Sequence, residues 1–299
     1  MKKIILIFII GITITSCLDF TSSIRHNEEQ YFLTGLLVEG KTVNFENPVV
    51  IGKTILAEGG SFNDMFIGDA EVMLFEMDDT GIELDSTSLV SIEIAPNSGV
   101  YYYVDMFEHL IIKPEMSYKI EAHTTDTSLW AITKVPQSIS ILPDTGYTID
   151  TLATGWPEMV YDTVDSEHPI EIETQDNDSF CLYAEFYCLE EWQNAQYVNV
   201  FDGHEFPDDE EEYENPGNGS PRKIISYYLY QPENNLVTFG FYQSAFVFFG
   251  RYQLTISAMD DNYFHYLYKP EGYNHGGING GVGYFGSAVS HTMFTKIVE

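Results

Sequence analysis

Apolar residues recur at every second position in several short segments after Tyr31, and turn-forming residues separate these segments. The stretches 91–94 (SIEI) and 118–123 (YKIEAH) alternate in this way, which predicts strands with one buried face. The stretch 72–77 (VMLFEM) is apolar on both faces, which predicts a strand that is largely buried on both sides. Turn signals lie at 78–81 (DDTG), 96–99 (PNSG) and 113–115 (KPE).

Short strands at this spacing predict an antiparallel β-sandwich. We therefore expect a mainly β fold class, with an N-terminal Ig-like antiparallel sandwich at 31–135. The boundary is placed near Val135-Pro136, because the surrounding stretch is rich in Thr, Pro and Gly. Residues 136–299 are then expected to form a second β-rich domain with little helix.

The second range contains one helical pattern among its strands. MDDNYFHYLYKP, from Met259 to Pro270, predicts a short helix. Asp260 or Asp261 is suited to its N-cap, because a carboxylate there can accept a free backbone N–H. The strand segments of this range are PIEIET, SFCLYAEFYCLE, RKIISYYLY, LVTFGFYQSAFVFF and RYQLTISAM.

Cys181 and Cys188 stand in one of these predicted strands, with no turn residue between them. Seven residues of strand span roughly 23 Å. A disulfide needs Cα atoms within about 7 Å. We therefore predict that the two cysteines do not form a bridge and are buried as small apolar residues.

The N-terminus has the layout of a secretory signal peptide: Lys2 and Lys3, an apolar run over 4–12, and small residues. The run is shorter than the ~20 residues that a membrane span needs. The segment Ile14-Thr15-Ser16-Cys17 resembles a bacterial lipobox, which implies cleavage after residue 16 and a lipid anchor on Cys17. A plain signal peptide with a chance cysteine is the alternative. Residues 1–16 are thus the predicted signal peptide and 17–30 a tether.

The chain is strongly acidic, with a formal net charge of −33 that falls to −35 once Lys2 and Lys3 are removed. Such a charge repels nucleic acid and anionic lipid headgroups. Nucleic-acid binding is therefore excluded, whereas basic proteins, calcium and cationic receptor faces remain possible partners. Solubility alone is the simpler explanation of the charge.

An acidic insertion at 201–221 is the best local candidate for ion binding. Hard carboxylate oxygens suit calcium, and the weak candidates are Asp202, Asp208, Asp209 and Glu210. The insertion lacks the alternating order of the known calcium loop, and charge runs are usually solvated. A solvated loop is the favoured interpretation, and no metal and no cofactor are assigned.

Near the C-terminus, Gly281-Val282-Gly283-Tyr284-Phe285-Gly286 spells the dinucleotide-binding fingerprint G-x-G-x-x-G. That fingerprint must follow a strand, open a helix and precede a second strand and an acidic residue. Only thirteen residues follow Gly286, which is too few for those elements. We expect instead that the glycines allow a close approach of the backbone to another segment.

No local catalytic motif is present, and the eight histidines include no pair at i, i+4 spacing. We therefore expect a protein that is not an enzyme, with a glycan or peptide hydrolase as a third alternative. Aromatic residues could instead bind a sugar or peptide. The two clusters are Tyr101–Tyr103 and the group Tyr263, Phe264, Tyr266 and Tyr268, for which ordinary core packing is favoured.

Several segments recur together in the order of a known family. They are the lipobox with Cys17, GLLVEG (35–40), GDAEVMLFEMDDTG (68–81), GVYYY (99–103), PEMSYKIEA (114–122) and GGINGGVGYFGSA (276–288). In this respect the chain resembles an uncharacterised family of Bacteroidota lipoproteins, a domain-of-unknown-function family. The likeness covers nearly the whole mature chain, and the long acidic insertion departs from it.

The resemblance implies an outer-membrane lipoprotein, encoded near TonB-dependent receptors, with no established catalytic or binding residues. We therefore expect a non-enzymatic accessory or ligand-binding component beside a TonB-dependent uptake receptor, with a peptide or glycan as a possible ligand. A structural or adhesive envelope lipoprotein is the alternative. The face of the membrane on which it stands is left open by the sequence.

Overall fold

The computed structural model describes residues 29–54, 65–142, 144–150, 155–173, 181–190, 196–198, 236–240, 242–269 and 271–299. Within these ranges the chain is mainly β and its sheets are chiefly antiparallel, as predicted. Among the same residues no helix is long and apolar enough to cross a membrane.

The strands, in chain order, are β1 (Tyr31–Val38), β2 (Val50–Lys53), β3 (Glu71–Met77), β4 (Glu83–Glu93), β5 (Tyr101–Val104), β6 (Ser117–His123), β7 (Ser128–Lys134), β8 (Ser140–Ile141), β9 (Glu158–Val160), β10 (Ile170–Glu173), β11 (Cys181–Cys188), β12 (Gln196–Tyr197), β13 (Leu236–Phe239), β14 (Phe248–Met259) and β15 (Val282–Val298). The described α-helices are Val164–Glu167 and Asp261–Tyr268, and short 3₁₀ turns lie at Tyr161–Thr163, Gln243–Ala245 and Gly272–Asn274.

The first sheet has the order β5-β4-β3-β6-β7 and is antiparallel throughout. Its residues follow the predicted period of two: in β3, buried Val72 and Leu74 alternate with half-buried Met73 and Phe75. Glu76 is also buried, and Lys113 Nζ donates to its carboxylate at 2.8 Å, which pairs a charge that would be costly to bury alone.

The second sheet has the order β11-β14-β15-β1-β2, with β12 added to β14 and β9 added to β15. The long strand β15 changes partners along its length. Residues 282–288 pair in parallel with β1, whereas residues 288–297 pair with β14 in the antiparallel sense. A third sheet, β13-β10-β8, is small and antiparallel.

The first half of β15, together with β1 and β2, packs against the five-stranded sheet to form a sandwich-like body. Their core residues belong to one buried cluster that includes Leu33, Ile51, Leu74 and Ile120. The two sheets also meet at both edges, because Val49 bridges to Tyr103 and Trp130 bridges to Asn279. The edge of β7 is therefore covered by the chain that leads into β15.

Strand pairing does not follow the predicted ranges 31–135 and 136–299. Phe32 pairs with Val282 and Val38 with Ala288. The strand β15, from the range 136–299, is therefore hydrogen-bonded to β1, from the range 31–135. Parallel partners can be far apart in the sequence, and local composition around residue 135 carries no information on that pairing. The shift in composition marks a connection, but the C-terminal strand joins both parts.

The helix Asp261–Tyr268 confirms the helical pattern, with Asp260 as its N-cap: Tyr263 N donates to the Asp260 carboxylate at 3.1 Å. Asp260 is buried and also accepts hydrogen bonds from Ser287 N at 3.0 Å and from Thr133 Oγ1 at 2.6 Å. Burial raises the pKa of Asp260 to about 6. One carboxyl group therefore connects β7, the helix and β15.

Candidate functional site

Several residues singled out in the sequence lie outside the described residues. These are the signal peptide 1–16, the anchor residue Cys17, most of the tether, the predicted strand RKIISYYLY (222–230), and the acidic insertion 201–221 with Asp202, Asp208, Asp209 and Glu210. Their predicted roles stay predictions. Within the ranges that the structure describes, no group of three or more His, Cys, Asp or Glu side chains is gathered to hold a metal.

The glycine fingerprint at 281–286 begins strand β15 and opens no helix. A Cβ on Gly281 would lie 2.4 Å from Tyr31 O, and one on Gly283 would lie 2.2 Å from Leu33 O. Gly283 also has a φ of +107°, which a residue with a side chain rarely adopts. The glycines therefore let β15 approach β1, which confirms the structural interpretation, and the strand geometry is not that of a nucleotide-binding turn.

The two cysteines stand at opposite ends of β11, are buried and are not joined by a disulfide, as predicted. Burial raises the pKa of the Cys188 thiol to about 11. This thiol is therefore protonated at neutral pH and is a poor nucleophile.

The predicted aromatic clusters pack within the fold. Tyr103 is fully buried; its hydroxyl donates to Ile67 O at 2.9 Å and accepts from Ala70 N at 3.0 Å. On the helix, Tyr263 and Tyr266 place their rings 5.1 and 4.5 Å from the ring of Tyr284. Phe264 and Tyr268 lie 5.4 Å apart and pack on a small buried cluster around Met259. Core packing thus accounts for most of their surface.

A candidate binding site that the sequence did not predict lies at the Val38 end of β1. There the loop 39–49 lies against the loop 105–116. Gly40 N donates to Ile112 O at 2.8 Å, and Ile112 N donates to Lys41 O at 2.9 Å. Asp105 N donates to Val43 O at 2.7 Å. These backbone bonds hold the two loops side by side.

Asp105 organises the second loop from within. It is buried, and its carboxylate accepts Phe107 N at 3.3 Å and Leu110 N at 2.9 Å. Such side-chain bonds to backbone two residues ahead stabilise a tight turn. Leu110 is buried beneath it, and Glu108 has a φ of +51°, which costs of order 1–2 kcal/mol for a residue with a side chain. The loop therefore has a defined shape.

This shape turns apolar side chains outward. Phe107 is 85% exposed, and Phe45, Met106 and Ile111 are each about half exposed. Phe45 and Ile111 line a groove of about 500 Å³ between the loops. We call this set, Phe45, Met106, Phe107 and Ile111, the tip surface. Met106 and Phe107 precede Glu108, which lines the same groove. Large apolar side chains exposed on neighbouring loops are typical of interaction sites.

The border of the tip surface is acidic. Glu46 and Glu108 line the same groove and are exposed. Lys41 Nζ lies 2.9 Å from Glu46, and the hydrogen bond from Lys41 lowers the pKa of Glu46. Lys113, the other nearby lysine, is paired with buried Glu76. The Lys41–Glu46 pair is neutral overall, so Glu108 and the net charge of −33 are what favour a cationic partner.

This site could not be predicted from the sequence, because its residues match no motif. The available signal was the stretch Asp105-Met106-Phe107, in which two large apolar residues follow a turn-forming Asp between two strands. That signal does not decide which apolar residues of the loop are buried. Only the packing of Leu110 and Ile112 beneath the loop leaves Met106, Phe107 and Ile111 outside.

No family model matches the sequence, and no curated protein matches it. The chain is similar, at a TM-score of 0.20 in each case, to three solved structures. One is "Biofilm associated protein - BSP domain", with 8% identity over 89% of this chain and 29% of that chain. Another is a trypsin-activated alpha-2-macroglobulin from Escherichia coli, with 12% identity over 79% and 15%.

The third is a 1.5-MDa bacterial ice-binding adhesin studied for host cell surface retention, with 9% identity over 90% of this chain and 64% of that chain. The chain thus spans less than two thirds of each of these three structures. Their likeness is weak, and no family assignment follows from it.

Proposed function

We propose that the chain is a non-enzymatic, lipid-anchored binding protein of the outer membrane, which docks a partner protein through the tip surface. The partner has an apolar face with a basic border, and the leading candidate is a TonB-dependent uptake receptor. The single observation that supports the proposal is that Phe107 and its apolar neighbours are exposed on a loop whose shape is fixed by hydrogen bonds. Buried Asp105 and Leu110 hold the loop, so little conformational entropy is lost on binding.

The position of the tip surface supports the same proposal. The predicted tether 17–30 precedes β1 in the sequence, so a lipid on Cys17 would be joined to the folded body through the Tyr31 end of that strand. The eight residues of β1 span about 25 Å. The Ig-like sandwich would then act as a spacer that carries the tip surface away from the membrane, where a neighbouring protein can reach it.

Charge supports a basic partner. The chain has a net charge of −33, and Glu46 and Glu108 stand at the border of the apolar groove. Complementary charge increases the rate of association and selects among partners. We expect capture of the partner to weaken as the salt concentration is raised, because exposed charges are screened.

The test is a pull-down of the full-length, lipidated, tagged protein from native membranes in mild detergent, quantified by mass spectrometry. A TonB-dependent receptor is expected in near-stoichiometric amounts. The double variant Met106→Ser, Phe107→Ser should retain at most a tenth of it, because anchoring aromatic side chains dominate such interfaces. Val160→Ser, which changes an apolar residue of β9 that is nearly as exposed as Met106, is the control and should retain all of it.

Each other outcome is informative. A receptor captured equally by wild type and the double variant would show that the receptor does not bind through the tip surface. Capture of adhesion or secretion components instead of a receptor, with the same dependence on Phe107, would favour the structural or adhesive alternative. Recovery of the protein alone would overturn docking through this surface.

A further inference from the structure

A cavity of about 290 Å³ that shares no residue with the tip surface is lined by residues 141–142, by the segment 144–149 and by Met293. Its apolar lining residues are Ile141, Leu142, Ile149 and Met293 of β15. Asp144 and Tyr147 line the same cavity. An apolar cavity with a small number of polar groups is the usual form of a small-molecule site.

The cavity is held in shape by its surroundings. Thr148 N donates to Phe294 O at 2.9 Å and Phe294 N donates to Thr148 O at 2.7 Å, so the segment is paired with β15. The ring of Trp156 lies 4.9 Å from that of Phe294. Met293 is buried. A ligand would therefore enter a formed cavity and would not have to order the segment around it.

Its polar end is a fixed carboxylate. Asp144 Oδ1 accepts Gly146 N at 2.6 Å and lies 2.8 Å from His168 Nδ1. Both of these bonds use Oδ1, although a carboxylate has about four acceptor positions. The Asp144 side chain is 24% exposed, so it is accessible and partly shielded from water. A further donor can therefore reach Oδ2.

Tyr147 contributes a ring and no free hydroxyl. Its hydroxyl is bonded to the Tyr242 hydroxyl and to His168 O, and Tyr242 also donates to His168 O. Burial raises the pKa of the Tyr147 hydroxyl, so this group stays neutral. The carboxylate of Asp144 is then the charged group that faces a ligand in this cavity.

We propose that this cavity binds a primary amine that carries an apolar group. The ammonium group donates to Asp144, and the apolar group lies between Ile141, Ile149 and Met293. The volume is close to the lower limit of about 300 Å³ for ligand sites, so the ligand has about ten non-hydrogen atoms. The net charge of −33 favours cations and disfavours the matching anion.

The same chemistry occurs in free amines and at the N-terminus of a peptide that begins with an apolar residue. The experiment is isothermal titration of the full-length protein in mild detergent, with the detergent blank subtracted. The probes are 2-phenylethylamine, the anion 3-phenylpropionate, and the peptide Phe-Ala amide with and without N-acetylation. We expect saturable binding of 2-phenylethylamine and none of 3-phenylpropionate. Binding of free Phe-Ala amide, but not its acetylated form, would identify peptide N-termini as a source.

Variants then test the two ends of the cavity. Asp144→Asn should raise the Kd for 2-phenylethylamine at least tenfold, because it removes the charge and keeps the size. Ile149→Ala should raise it about threefold by removing an apolar wall. Ile149 is 82% exposed, so this variant tests the proposal even where Asp144→Asn disturbs the fold. Phe107→Ser is the control and should leave the Kd unchanged.

The proposal is overturned by equal binding of amine and anion, by an unchanged Kd in both Asp144→Asn and Ile149→Ala, or by the lack of any saturable heat. It does not depend on the tip surface, because the two sites share no residue. Failure of amine binding would therefore leave the docking proposal intact, and failure of receptor capture would leave this one intact.

Discussion

The glycine-rich segment 276–286 and the loop 105–116, called the tip loop because it carries Met106, Phe107 and Ile111, lie beside strands of the same sandwich but use their backbones in opposite ways. In the first, the lack of side chains lets Gly283 lie against the carbonyl of Leu33. In the second, buried Asp105 satisfies backbone N–H groups, so Phe107 can point into solvent. The conspicuous motif therefore closes the fold, and the segment without a motif offers a surface for binding.

The largest effect on stability is expected from a substitution in the glycine-rich segment. Gly283→Ala should lower the free energy of unfolding by about 4 kcal/mol, because the new Cβ would meet a backbone oxygen at 2.2 Å in a residue with a φ of +107°. Urea unfolding followed by circular dichroism measures the change.

Gly81→Ala is the matched control for that substitution. Gly81 has a φ of +81°, but a Cβ there meets nothing within 4 Å. Only the backbone strain remains, so we expect a loss of about 1–2 kcal/mol. Equal losses in the two variants would show that close packing of β15 on β1 is not what requires glycine.

The next effect concerns pH and the Asp260 carboxyl, which accepts a hydrogen bond from the backbone N–H of Ser287, directly after the glycine-rich segment. Its pKa in the folded protein is about 6, above the ordinary value of 3.8, so folding favours the protonated form. The contribution of the protonated Asp260 carboxyl to the free energy of unfolding is therefore fully present below about pH 3.8 and is lost as the pH rises through about 6. The loss amounts to about 3 kcal/mol.

Asp260→Asn tests this sign, because Asn also caps a helix but does not titrate. Unfolding free energies of both proteins should be measured between about pH 3 and about pH 7.5. The wild type should lose about 3 kcal/mol more than the variant over that range. A difference that is constant with pH, or that grows in the other direction, would contradict the raised pKa.

The smallest effect on stability is expected at the tip loop. Asp105→Ala should lower the free energy of unfolding by about 2 kcal/mol, since it leaves Phe107 N and Leu110 N without their acceptor. It should also reduce receptor capture at least threefold, although Asp105 itself is buried. Phe107→Ser should change stability by less than about 0.5 kcal/mol. Undiminished capture by Asp105→Ala would show that the loop does not need this preorganised shape.

Much of the local structure could be predicted from the sequence. The strands followed from period-two alternation, as in β3 and β6, and the helix followed from its pattern and its N-cap. The absence of a Cys181–Cys188 bridge followed from the length of a strand. Each of these inferences depends on residues that are close together in the chain, where backbone geometry sets the distances.

The candidate sites could not be predicted in the same way. The tip surface requires that Leu110 and Ile112 be buried while Phe107 and Ile111 are not, and this depends on what lies beneath the loop. The cavity beside Asp144 brings the stretch 141–149 together with Met293 of β15, which is distant from it in sequence. Neither site has a spacing that a local pattern could reveal.

By itself, the sequence determined the β-rich class, the turns, the helix cap, the acidic charge and the expectation of an anchor on Cys17, because these depend on neighbouring residues and composition. The tertiary structure decided that Phe32 pairs with Val282, and that β15 is shared by two sets of strands. Such pairings are selected by which apolar faces can be buried together across the whole chain. Alternation along one strand shows that it has a buried face, but not which strand will cover it.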